Sequence, residues 1–112
     1  MSTAMVYAIK FVANMDDAIV FHHRQLGLPL RFQSPEWSEF DTGSTTLALH
    51  IADANHPAGT YQLGFRVNDL EDFTLARRNE GREIVQEPTA SHGSRIAKFR
   101  YADGSEFSVS AR

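Results

Sequence analysis

The chain has 112 residues, of which 42% are hydrophobic and 8 are Phe, enough for one domain with a core that needs no staples. A net charge of -3 with 11 scattered Lys and Arg argues against a nucleic-acid footprint, and the absence of Cys excludes disulfides, thiolate metal sites and a Cys nucleophile. Residues 1–12 lack the basic segment and apolar run of a secretion signal, and no window approaches the ~18 apolar residues of a membrane span. The expectation is a cytoplasmic protein with neither a nucleic-acid nor a membrane partner.

Val6 to Val12 carries Val6, Tyr7, Ile9, Phe11 and Val12 and reads as a strand interrupted by Lys10. Asn14 then caps a helix of about residues 15–26, with Asp16 and Asp17 in the first turn, where the dipole favours anions, and Gly27 as its stop. Pro29 and Leu30 to Phe32 suggest an edge strand. Glu36 to Phe40 and Leu47 to Ile51 read as the arms of a hairpin. Residues 53–60, with Pro57 and Gly59, form the only plausible linker. The pattern then restarts. Tyr61 to Val67 is a strand, Asn68 or Asp69 caps a helix whose apolar side is Leu70, Phe73, Leu75 and Ala76, and Gly81 closes it. Glu83 to Val85 is a short strand followed by a loop, Gln86 to Gly93. Arg95 to Tyr101 and Glu106 to Ser110 form a last hairpin around Asp103-Gly104.

Two stretches share one grammar: FDTGSTTLALH from Phe40 and YADGSEFSV from Tyr101, each an aromatic residue, a Gly-Ser turn and a returning strand. Val12 matches Val67 at an offset of 55, and Phe40 matches Tyr101 at an offset of 61. Strand, cap, helix, Gly stop and closing hairpin recur in the same order, as expected for two copies of one β-α-β-β-β unit.

Three segments carry a family resemblance: VANMDDAIVFHHRQLGL (Val12 to Leu28), WSEFDTGSTTLALH (Trp37 to His50) and YADGSEFSV. Together they resemble the vicinal oxygen chelate superfamily, which includes glyoxalase I, bleomycin-resistance proteins, extradiol dioxygenases and fosfomycin-resistance proteins. His22 stands where Tyr is usual, and Ala102 and Ser105 where Pro and Asn are usual. The resemblance implies an α+β fold, two βαβββ modules forming a curved mixed sheet around a cup, often as a homodimer. It covers residues 1–112 as a single domain, with a first module of about 1–52, a linker of about 53–60 and a second module of about 61–112.

Metal-dependent members of that superfamily place one ligand on the first and fourth strand of each module, and those positions fall at Tyr7, Ala48, Gln62 and Ser108. Ala48 has no donor atom and Ser108 offers a neutral hydroxyl, whereas divalent ions here want imidazole or carboxylate. No metal is therefore expected, and the only fallback pair is His50 with Glu106. His50 otherwise reads as a hydrogen-bonded strand-end histidine. His22 and His23, about 100° apart on a helix, cannot chelate one ion well; His56 and His92 read as loop residues.

Alternation puts Tyr7, Ile9 and Phe11 on one face. Tyr7 and Trp37 each combine an apolar body with a polar tip suited to a planar ligand. Phe11 and Phe99 read first as core and then as ligand contacts. Arg66, on the face of Gln62 and Gly64, is the candidate anion-binding group. The expected ligand-binding set is thus Tyr7, Phe11, Trp37, His50, Gln62, Arg66, Phe99 and Ser108, for a metal-free protein that binds a planar or aromatic organic molecule in a dimer cup. The rival reading is a glyoxalase-like lyase or isomerase using Ni, Zn, Mn or Fe. An extradiol dioxygenase ranks lower, since its iron wants two His and a carboxylate.

Overall fold

A computed structural model of the chain describes residues 3–91 and 93–111; His92, read above as a loop residue, lies outside the described residues. Strand β1 runs from Ala4 to Val12, and Asn14 caps helix α1, Met15–Val20, by accepting the Asp17 N–H at 3.0 Å. The helix expected over 15–26 stays α-helical only to Val20 and widens into a π-helical turn, Phe21–Gln25. The cause is local. The buried His22 ring bonds through Nδ1 to the Ala18 carbonyl at 2.7 Å, and the same oxygen accepts the Phe21 N–H, so both its lone pairs are engaged where an α-helix would use it for the His22 amide.

Strands β2 (Leu30–Phe32), β3 (Trp37–Asp41) and β4 (Thr46–Ile51) follow. They pair antiparallel in the order β2-β3-β4, and β4 continues parallel to β1. Residues Val6–Gln62 make one compact unit; the chain from Leu63 onward, with the start of β1, makes a second. In the first unit Val12, Met15, Ile19, Phe40 and Leu49 pack between α1 and one face of the sheet. Ile9, Phe11 and Ala48, flanked by Tyr7 and Trp37, form a second cluster on the opposite face. The 53–60 segment is tied down, since the Phe11 N–H donates to Thr60 O and Phe11 O accepts from the Gly59 N–H, both at 2.9 Å.

The second unit repeats the plan. Strand β5 (Tyr61–Arg66) leads through the Asp69 cap into helix α2 (Leu70–Asn79), and β6 (Ile84–Ser91), β7 (Ser94–Arg100) and β8 (Glu106–Ala111) close it. Strand order is β5-β8-β7-β6, again with first and fourth strands parallel. The α+β fold of two βαβββ modules is therefore present.

Two expectations fail in detail. Gln86 to Ser91 is strand and not loop; register shifts on either side of Gln86 absorb Pro88, which cannot donate to the ladder. On α2, Thr74 is buried and Leu75 exposed, because at 100° per residue Leu70, Phe73 and Thr74 share a side that Leu75 leaves. Val67, Leu70, Ala97, Phe99, Val109 and Ala111 form the core beneath that side.

Candidate functional site: an aromatic sheet face

The side chains of the first unit that point away from α1 follow from register. Tyr7 is opposite Thr46, Ile9 opposite Ala48, and Phe11 opposite His50; across β4, Trp37 is opposite His50 and Glu39 opposite Ala48. One face therefore carries Tyr7, Phe11, Trp37, Glu39 and His50. Their rings form a continuous row. Tyr7 meets Trp37 edge-on at 5.7 Å, Trp37 meets His50 at 6.0 Å, His50 meets Phe11 at 5.2 Å, and Phe11 stacks on His56 at 4.6 Å and 12°. Such offset and edge-to-face contacts suit the ring quadrupoles.

Polar neighbours hold the row in place. Glu39 accepts from the Trp37 indole N–H at 2.8 Å with one oxygen and from Arg31 at 3.1 Å with the other, and Arg31 also donates to the Thr46 hydroxyl. His50 bonds through Nδ1 to Ile51 O at 2.7 Å. His56 bonds through Nδ1 to the Asp53 carboxylate at 3.0 Å. Burial works to raise the Asp53 pKa, but bonds from His56 and Asn55 outweigh it and hold the carboxyl below its ordinary value.

Of the expected ligand contacts, Tyr7, Trp37 and His50 thus share one half-buried surface. Phe11 lies on the same face but is 3% exposed, closed over by the stacked His56 ring, and is core and not a ligand contact. Gln62 is buried at the start of β5. Arg66 and Ser108 lie on the face of the second unit's sheet turned away from α2. Phe99 is elsewhere: it is buried in the α2-facing core against Phe73 and Phe107, at ring distances of 5.2 and 5.8 Å. Glu39 and His56 were missed. Counting by twos from Trp37 reaches Glu39, whereas no spacing rule takes a loop residue such as His56 to Phe11.

A sequence model of the Glyoxalase/Bleomycin resistance protein/Dioxygenase superfamily matches residues 4–109. The chain belongs to this superfamily. No curated protein matches it. Among solved structures, a hypothetical protein from Bacillus halodurans C-125 is similar with a TM-score of 0.86 at 15% identity, over 100% of this chain and 96% of that one. A methylmalonyl-CoA epimerase from Mycobacterium tuberculosis is similar with a TM-score of 0.81 at 21% identity, over 96% and 87%. A superfamily member from Vibrio splendidus 12B01 gives 0.75 at 13% identity, over 99% and 100%. At these identities the likeness speaks for the fold alone.

The superfamily's metal positions do not suit an ion in this chain. Ala48 is fully buried and carries no donor, and Gln62 and Ser108 supply neutral groups. Of the fallback pair, His50 has Nδ1 committed to a carbonyl, and Glu106 lies 3.7 Å from the Arg100 guanidinium. Among the described residues no three His, Cys, Asp or Glu side chains gather into a metal-holding group, and no helix is long and apolar enough to cross a membrane.

Proposed function

We propose that this chain is a metal-free, small-molecule-binding member of the superfamily that takes a planar or aromatic organic ligand against the aromatic row of its first unit. The observation that carries the reading is the chain of ring contacts from Tyr7 through Trp37, His50 and Phe11 to His56, with Glu39 fixing the indole. Tyr7, Trp37 and His50, half-buried and held in this way, present apolar area at little entropic cost on binding, while the Glu39 carboxylate beside the indole supplies a polar edge for orientation. In this reading the protein works in the cytoplasm as a homodimer, and the resemblance supports the homodimer.

Trp37 is the only tryptophan, so its fluorescence reports on this surface alone. Titration with a panel of planar aromatic compounds is expected to give saturable quenching for at least one of them, matched by calorimetric heat. Trp37→Ala should weaken that ligand by about tenfold or more, the loss of one aromatic anchor. Flat fluorescence and heat across the panel would remove the reading.

A further inference from the structure

The second unit presents a different chemistry on the face of its sheet turned away from α2. Pairing register puts Gln86, Lys98, Ser108 and Gly64 in one row across β6, β7, β8 and β5, with Arg66 two residues along β5 beside Ser110. Arg66, Gln86 and Lys98 are half-buried, and Ser108 is 4% exposed. None of these four side chains has a hydrogen-bond or ion-pair partner among the described residues. Elsewhere in the chain Arg31, Arg77, Arg78, Arg95 and Arg100 all pair with carboxylates.

The same face carries one carboxylate, Glu106, which lies 3.7 Å from the Arg100 guanidinium. Half-buried Arg66 and Lys98 lose hydration without a direct ion pair of their own, and the positive potential they leave is one that an anion would relieve. Strands lie ~4.8 Å apart and rise ~3.3 Å per residue, which puts the Arg66 and Lys98 Cα atoms on the order of 12 Å apart, a gap two long side chains can bracket around one oxyanion. The β8 residues between them, Ser108 and Ser110, have short side chains, and Gly64 adds none at the β5 end of the Lys98 row. The Ser108 hydroxyl and the Gln86 amide supply neutral donors in the same row.

We infer that this face is an oxyanion site: Arg66 and Lys98 hold the carboxylate or phosphate of a small organic anion, with Ser108 and Gln86 as secondary donors. The guanidinium offers a fork and the ammonium a point charge, so together they accept either geometry. The inference stands apart from the aromatic row, which belongs to other residues and has its own reporter in Trp37.

The test is calorimetric titration of the full chain at low salt with sodium phosphate, with sodium benzoate, and with neutral benzamide. At least one of the two anions is expected to bind saturably, benzamide far more weakly, and added salt to weaken the anion. Lys98→Met and Arg66→Met should each lower the anion's affinity by about tenfold or more, as loss of a charge-assisted bond does. Lys98→Arg should keep most of it, and Lys10→Met, which removes the same charge from β1, should change it less than about twofold. Phosphate binding alone assigns the site to phosphate esters, and benzoate binding alone to carboxylates. No saturable binding of either anion, or equal affinity in both Met variants with unchanged circular dichroism, would overturn the proposal.

Discussion

His22 has a larger structural part than its helix position implies. The residue is 7% exposed, its ring packs 5.7 Å from the fully buried Phe40, and it shares the Ala18 carbonyl with the Phe21 N–H. Truncation removes a buried ring and one hydrogen bond together, so His22→Ala should cost about 2 kcal/mol in a denaturant melt. A cost near zero would mean that the buried ring and its bond add nothing to stability. Trp37 and Glu39 illustrate the same coupling: an exposed-looking WSEF segment becomes a positioned indole only because the carboxylate two residues on reaches back to it.

Among the elements, α2 ends in a fully specified way. The Gly81 N–H donates to Arg78 O and the Arg82 N–H to Arg77 O, both at 3.0 Å, which is the Schellman pattern around a residue at φ 75°. A Cβ on Gly81 would meet nothing within 4 Å, so only the left-handed backbone opposes substitution. Gly81→Ala should therefore destabilise by about 1–2 kcal/mol, read as a shift in denaturant midpoint at unchanged slope. Gly27 plays the corresponding part after the π-turn, at φ 69°, and the recurrence of this stop was one of the clearest signs of the repeat. The edge strands contrast with it: β6 carries Pro88 and Glu87, devices that discourage another chain from pairing there.

For the molecule as a whole, the two units share a topology but present different surfaces. Register equates Phe11 and His50 in one unit with Arg66 and Ser110 in the other, and Glu39 with Lys98. The repeat thus keeps the frame and varies the lining, aromatic and acidic on one copy, basic and hydroxylic on the other. With Ala48 in a ligand position, elemental analysis of the purified, undialysed protein should find no stoichiometric Ni, Zn, Mn or Fe, and a chelator should leave the melting temperature unchanged. About one ion per chain would redirect attention to His50 and Glu106.

The amino-acid sequence by itself determined the number and order of the units, the cap at Asn14, a second cap at Asn68 or Asp69, the glycine stops, and the sharing of one face by Tyr7, Ile9 and Phe11. All of these are local signals or fixed periods, written within a few residues of where they act. Tertiary structure decided the rest. Which side of α2 is buried, whether Phe99 lines a ligand face or the core, how β6 continues through Pro88, and how His56 reaches Phe11 depend on contacts between residues distant in the chain. A one-residue difference in strand register exchanges the two faces of a sheet, and only the packed helices and paired neighbours select between them.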